Sequence, residues 1–331
     1  MKTSHHLTQQ AVLDTWDYLN SHPLSANACR IAFADPEFML RREARGIRMQ
    51  LELLKPELDQ KAQGIENTVV VFGSARFCSM EEAITPREKR NAHYYEQARA
   101  FGHIVATANK GLPSSERMTI CTGGGPGIME AANRGASEAG ELTVGLNIAL
   151  PHEQDPNPYI TPSLSFKFHY FALRKMHFMM RAKAMVAFPG GFGTMDELFE
   201  VITLVQTHKA SAVPIILFGT DYWSRLFNWN MLVEEGVIDA NDLKLIQMVD
   251  EPQAAWDAIV AFHTPPREET LHECGECGFG TTRRRSTGVG GVAGQKPSPP
   301  AHHVGRCRPH RPTSRRRAGR GTRAGCEKHY F

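Results

Sequence analysis

The chain lacks the features that mark secreted, membrane-spanning and disulfide-stapled proteins. No apolar run approaches the roughly 20 residues that a membrane-spanning helix needs, and residues 1–10 are polar, unlike a secretory leader. Seven cysteines are spread over 331 residues without a dense framework, which is typical of a reducing compartment. Together these absences predict a soluble, cytoplasmic protein that makes no membrane contact.

Two familiar nucleotide signatures are also missing. Neither glycine-rich segment of the chain is followed by Gly-Lys-Ser/Thr, which argues against a Walker A phosphate loop. The glycine spacing of a dinucleotide fingerprint is not kept, and no acidic residue ends the following strand at the distance needed to hold a ribose of NAD. An ATPase and an NAD-dependent dehydrogenase are therefore disfavoured.

Charge is distributed unevenly. Residues 281–331 contain thirteen lysines or arginines and one acid, so subtracting this +12 from the net +3 leaves −9 for residues 1–280. The stretch 266–331 is also rich in Gly, Pro and Ser, which predicts a disordered tail. Nucleic-acid binding by this tail is an open but less favoured alternative. Cys274 and Cys277 lack a second closely spaced pair, so we predict no metal site.

Short apolar strands alternate with helices from residue 67 onward. This order predicts an α/β, Rossmann-like, doubly wound and mainly parallel sheet with helices on both faces, over residues 67–265. A helical extension over residues 1–66 precedes it. The predicted strands are 68–72, 103–106, 118–121, 142–148, 184–188, 214–218 and 244–249, and the predicted helices include 7–19, 36–54, 86–101, 127–139, 167–183, 222–235 and 252–262.

A glycine-rich strand-to-helix turn, Pro-Gly-Gly-Phe-Gly-Thr, is the strongest functional signal. Gly190, Gly191 and Gly193 allow backbone N–H groups to approach an anion, and the positive end of the helix dipole favours phosphate there. The spacing of Thr194 and Glu197 is equally that of a helix capping box, which stays open as an alternative.

A second glycine-rich turn lies earlier in the chain. Gly124 and Gly125 lie between a predicted strand and helix, and Glu130 in the first helical turn is a candidate ligand for ribose hydroxyls or a complement to the helix dipole. Ser74 follows the first strand. Ligands of doubly wound sheets bind beyond the carboxyl ends of the strands, where all these residues fall. One cradled phosphate favours a nucleoside monophosphate.

The combination of motifs resembles the LOG family. The segments PGGFGTMDE at 189–197 and GGGPGIMEAANRGA at 123–136, with the Arg174-Lys175 pair in a helix, resemble its phosphoribohydrolases, and the likeness runs from about residue 67 to 262. The helical extension is more like the longer bacterial branch. Members often carry the label lysine decarboxylase, yet nothing here marks a lysine that would bind pyridoxal phosphate.

The resemblance implies specific roles and partners. Its catalytic positions fall on Arg174 and Glu197. It further implies a purine nucleoside 5′-monophosphate, AMP or a cytokinin ribotide, as substrate, no cofactor and a homodimer. The implied substrate contacts are Gly190, Gly191, Gly193, Thr194, Lys175 and Thr203, beside the residue-based candidates Gly124, Gly125, Ser74 and Glu130.

The chemistry of N-glycosidic cleavage suits the two catalytic positions. The transition state has oxocarbenium character, so a carboxylate such as Glu197 stabilises the developing charge and orients water. An arginine such as Arg174 hydrogen-bonds the leaving base or the ribose phosphate. The alternative function is a nucleotide sensor or carrier without turnover, which has no need for this pair.

The helix predicted at 167–183 is apolar on more than one side. Such a helix is buried on both sides, against the sheet and against either the N-terminal helices or a second subunit. The resemblance favours a homodimer with this helix at a two-fold interface. The residues concerned are Phe171, Met176, Phe178, Met179 and Met180.

Overall fold

The computed structural model describes residues 30–150 and 155–264. The helix predicted at 7–19, the basic tail and the Cys274/Cys277 pair lie outside the described residues. Among the helices that are described, none is long and apolar enough to cross a membrane. The cytoplasmic location stays a prediction.

Within the described residues the sheet has seven strands, and every neighbouring pair is parallel. The strands are β1 Asn67–Phe72, β2 Met118–Thr122, β3 Thr143–Ile148, β4 Ser165–Phe168, β5 Ala182–Ala187, β6 Ile215–Phe218 and β7 Ile246–Val249. Their order in the sheet is β4-β3-β2-β1-β5-β6-β7, so the predicted doubly wound α/β class is confirmed.

Helices cover the sheet and precede it. In the described residues the α-helices are α1 Pro36–Met39, α2 Arg45–Ala62, α3 Pro86–Ala108, α4 Ile128–Glu138, α5 Phe171–Met180, α6 Phe192–Gln206, α7 Thr220–Leu226, α8 Trp229–Glu234 and α9 Pro252–His263. Short 3₁₀ helices occupy Ala32–Ala34, Arg42–Ala44, Pro162–Leu164 and Ala240–Leu245.

The central strand β1 is buried on both of its faces. Val70 and Phe72 belong to one core cluster, and Val69 and Val71 belong to the cluster on the opposite face. A parallel strand covered by helices on both sides needs such a continuous apolar run. The chain extends the sheet from β1 through β2 to β4 on one side, then returns to add β5 to β7 on the other. The switch point between β1 and β5 is where ligands of this architecture bind.

Two of the predicted elements are wrong. The strand predicted at 103–106 is the last part of α3, because Ala98, Phe101 and Val105 recur at helical spacing and are all buried. The helix predicted at 167–183 covers only Phe171–Met180, since β4 occupies its start and β5 its end. A run of apolar residues does not by itself separate a short buried strand from a helix.

Two other predicted helices are interrupted. The helix predicted at 36–54 begins as expected after Asp35, whose carboxylate accepts hydrogen bonds from the N–H groups of Glu37 and Phe38. It then breaks at a 3₁₀ turn, and α2 continues to Ala62. The helix predicted at 222–235 divides into α7 and α8 at Phe227, which is extended.

Candidate active site

A cleft of about 600 Å³ opens at the carboxyl ends of β1 and β5. Its size lies within the usual range of small-molecule sites. The walls come from five segments: the end of β1 with the loop after it, the start of α4, helix α5, the glycine turn with the first turns of α6, and helix α7. The lining residues include Gly73, Ser74, Arg76, Met129, Phe171, Arg174, Gly190, Gly191, Phe192, Gly193, Thr194, Asp196, Glu197 and Tyr222.

The glycine turn presents the start of α6 to this cleft. Helix α6 has Gly191 as its N-cap, without a side-chain cap, and the first helical hydrogen bond runs from Met195 N to Gly191 O at 3.1 Å. The capping-box alternative for Thr194 and Glu197 is therefore wrong. Since the first N–H groups of a helix have no partner within it, those of the first turn are available to an anion.

Neighbouring elements fix the turn in place. The Tyr222 hydroxyl donates to Gly190 O at 2.6 Å, and Ser74 N donates to Pro189 O at 3.0 Å. A side chain at Gly190 would collide with the side chain of Thr194, which is itself buried. Tyr222 was missed in the sequence because it follows β6, far from both glycine turns, and no motif marks it.

Arg174 is a buried residue of the cleft lining with several fixed contacts. Its Nε donates to Leu146 O at 2.7 Å, and its guanidinium carbon lies 5.0 Å from the centre of the Phe178 ring. Its Nη1 lies 3.4 Å from Glu197 Oε1. A side chain at Gly123 would collide with Arg174 Nη2, so the first glycine turn leaves the space that the arginine occupies.

Glu197 is a buried carboxyl with an unusual proton affinity. Both members of its pair with Arg174 are buried, at 6% exposure for Glu197 and 8% for Arg174. Burial raises the pKa of Glu197 to about 7, and the neighbouring charges of Arg174 and Lys175 only partly oppose this effect. Burial also lowers the pKa of the Arg174 guanidinium. A carboxyl that titrates near neutral pH in a cleft is a candidate for acid–base or electrostatic catalysis.

Two predicted contacts lie on the outer side of α6. Lys175 Nζ lies 2.9 Å from Asp196 Oδ2 and 2.8 Å from Glu200 Oε2, and it does not line the described cleft. Burial alone would lower the pKa of Lys175, but its hydrogen bonds to the two acids outweigh this effect and raise it. Thr203 donates to Phe199 O at 2.7 Å and lies along a neighbouring groove. The structure does not bring these two residues to the cleft.

The predicted residues of the first glycine turn and of the helix after it have partners outside the cleft. Asn157 Nδ2 donates to the carbonyl oxygens of Gly124 at 3.2 Å and Gly125 at 3.1 Å. The Glu130 carboxylate accepts a 2.9 Å hydrogen bond from the Tyr95 hydroxyl. In the described structure Gly124, Gly125 and Glu130 do not line the cleft, whereas Met129 next to Glu130 does.

The described residues contain no cluster of three or more His, Cys, Asp or Glu side chains placed to hold a metal ion. Cys121 is buried at the end of β2, and burial raises the pKa of its thiol to about 12. A thiol with such a pKa is a poor metal ligand and a poor nucleophile.

Comparison with known proteins confirms the predicted family resemblance. Residues 129–259 match a family model described as possible lysine decarboxylase. The chain is 32% identical over 114 residues to the probable cytokinin riboside 5′-monophosphate phosphoribohydrolase LOGL3 of Oryza sativa subsp. japonica, covering 32% of this chain and 52% of that protein. It is 27% identical over 155 residues to the probable cytokinin riboside 5′-monophosphate phosphoribohydrolase LOG4 of the same subspecies, covering 46% and 66%. The chain thus spans between half and two thirds of these curated relatives.

Among solved structures, the molybdenum cofactor binding protein from the phototrophic bacterium Rippkaea orientalis aligns with a TM-score of 0.39 at 18% identity. The alignment covers 60% of this chain and 96% of that chain.

Proposed function

We propose that this protein hydrolyses the N-glycosidic bond of a purine nucleoside 5′-monophosphate, AMP or a cytokinin ribotide, to free base and ribose 5-phosphate. The similar proteins are named as phosphoribohydrolases of cytokinin riboside 5′-monophosphates. The observation that carries the proposal is the buried Arg174–Glu197 pair, which lies in the same cleft as an uncapped, glycine-rich helix start.

The phosphate binds at the start of α6. Gly190, Gly191, Gly193 and Thr194 all line the cleft, and the helix dipole adds partial positive charge at that end. A single phosphate fills this turn. The ribose then extends toward Glu197, which lies one helical turn further along α6.

The chemical step requires the ionised form of Glu197. As the bond between C1′ and the base nitrogen breaks, its electron pair leaves with the base, and the carboxylate stabilises the positive charge that develops on the sugar. Glu197 takes a proton from the water whose oxygen attacks C1′. Arg174 donates hydrogen bonds to the leaving base or to the ribose phosphate. The base that leaves as an anion takes up the proton that Glu197 removed from water, directly or through solvent, so Glu197 is ionised again and water is divided between the sugar and the base.

A panel of nucleotides tests the proposal. The protein is incubated with AMP, isopentenyladenine ribotide and adenosine, and free base is measured by chromatography. We expect base from one or both nucleotides, and none from Glu197→Gln, although that variant should still bind nucleotide. Glu138→Gln is the matched control, since Glu138 is also a helical glutamate that pairs with an arginine, Arg99, far from the cleft. Nucleotide binding without base release in the unmodified protein would favour the sensor or carrier.

Exposed apolar side chains on α5 support the proposed homodimer. Phe171, Met176 and Met180 are 50%, 49% and 47% exposed in the described chain, although α2 packs against the same helix. Apolar side chains gathered on one helix next to a site favour a second copy as their cover.

A further inference from the structure

Helix α5, which carries Arg174, has little to hold it in place by itself. It is 10 residues long, and its N-cap residue Tyr170 makes no side-chain capping hydrogen bond. Helices this short are marginal without tertiary contacts. The position of Arg174 therefore depends on the elements that α5 contacts.

Helix α2 holds the beginning and the middle of α5. Glu52 Oε2 accepts hydrogen bonds from the backbone N–H groups of His169 at 3.1 Å and Tyr170 at 3.2 Å, directly before α5 begins. In the middle of α5, His177 contacts α2: its Nε2 lies 3.0 Å from Leu53 O. Since a carbonyl oxygen only accepts, this nitrogen carries the proton.

The same helix also holds the end of α5. Arg181, the C-cap residue, donates from Nη1 to Glu57 Oε2 at 2.7 Å and from Nε to Ile65 O at 3.0 Å. The Arg181 side chain is only 9% exposed, whereas that of Glu57 is 35% exposed, so this ion pair is partly shielded from water. The hydrogen bond from Arg181 lowers the pKa of the Glu57 carboxyl.

We infer that Glu52 and Glu57 are positioning residues that keep Arg174 in register with Glu197, so that α2, ahead of the sheet, belongs to the catalytic apparatus. This inference rests on the proposed function. The phosphate turn is held separately, by Tyr222 and Ser74, and does not depend on α2. Loosening α5 therefore separates the chemical step from phosphate binding.

The kinetic test uses Glu52→Ala, Glu57→Ala and the double variant. Alanine preserves helix propensity, so α2 itself is spared. We expect kcat to fall about tenfold or more, as small misplacements of a catalytic group do, while KM stays within about twofold. Glu52→Gln should restore kcat, because its amide oxygen accepts the same two N–H bonds.

Glu138→Ala is the matched control, because it removes a comparable pair between α3 and α4. An equal loss of kcat in the control, or unchanged kcat in the α2 variants, would overturn the inference. If the double variant does not fold, Glu52→Ala alone decides, since the Glu57–Arg181 pair remains.

A second measurement is independent of turnover. The hydrogen exchange rate of the Arg174 Nε–H, measured by NMR on protein with ¹⁵N-labelled arginine and assigned with Arg174→Lys, reports its bond to Leu146 O. We expect at least tenfold faster exchange in the α2 variants and no change in Glu138→Ala. Unchanged exchange in all variants would refute the inference. If the unmodified protein releases no base but the α2 variants still exchange faster, the proposed function is refuted and the positioning of Arg174 by α2 stands.

Discussion

The raised pKa of Glu197 predicts a specific dependence of stability on pH. Its ordinary value is 4.5, and burial raises it to about 7 in the folded protein. The folded state therefore binds the Glu197 proton more tightly than the unfolded state does. Linkage requires this group to contribute stability below pH 4.5 and to lose that contribution as pH rises toward 7.

The expected size follows from the same two values. At about 1.36 kcal/mol per pKa unit, the difference between 4.5 and about 7 corresponds to about 3 kcal/mol. Glu197→Gln removes the titration, so its free energy of unfolding minus that of the unmodified protein should rise by about 3 kcal/mol between pH 4.5 and pH 8. A constant offset from the lost pairing with Arg174 does not affect this change with pH.

Urea denaturation of both proteins at a series of pH values measures the difference directly. Glu138→Gln provides a control of opposite sign. Burial opposes the ionisation of Glu138, but hydrogen bonds from Arg99 and Arg134 outweigh it and lower its pKa. Its stabilising contribution is therefore lost as pH falls. A difference between Glu197→Gln and the unmodified protein that stays flat from pH 4.5 to pH 8 would refute the reasoning.

Five other outcomes are expected. The kcat/KM for base release should rise with pH through about 7, because ionised Glu197 is the active form. Ionisation of the substrate phosphate affects binding over the same pH range, so inhibition by ribose 5-phosphate, which carries the same phosphate, is measured as the control. Adenosine should react far more slowly than AMP, since its binding leaves the phosphate turn empty, and equal rates would contradict that turn's role. Gly123→Ala should lower kcat about tenfold or more by displacing Arg174, with little effect on ribose 5-phosphate binding. Sedimentation should show a dimer as the smallest active species, and an active monomer at low micromolar concentration would disprove this. Removal of residues 266–331 should leave base release unchanged, because the residues that line the described cleft all fall within 72–222 of the sequence.

The sequence carries enough information for the sheet and for the phosphate turn. Buried parallel strands appear as short continuous apolar runs, and a glycine-rich turn between strand and helix has a local pattern. The four-residue β4 has neither signal, because its alternating Phe166 and Phe168 lie directly before an apolar helix, and the predicted helix includes Phe168. The hydroxyl of Tyr222 and the carboxylate of Glu52 act on segments 32 and 117 residues away along the chain, so no local pattern reveals them.

The dipeptides Arg174-Lys175 and Asp196-Glu197 show why the sequence predicts more cleft contacts than the structure has. Helices α5 and α6 are joined by three ion pairs that differ in their exposure to solvent. Arg174 and Glu197 face the cleft and are buried, whereas Lys175 bridges the more exposed Asp196 and Glu200. Adjacent residues of a helix point about 100° apart, which turns Lys175 away from the cleft that Arg174 lines. Asp196 and Glu197 both line the cleft, but only Glu197 is buried against Arg174. The outer pairs fix the register of the two helices, and that register places Glu197 within 3.4 Å of Arg174 while burial keeps its carboxyl protonated until near neutral pH.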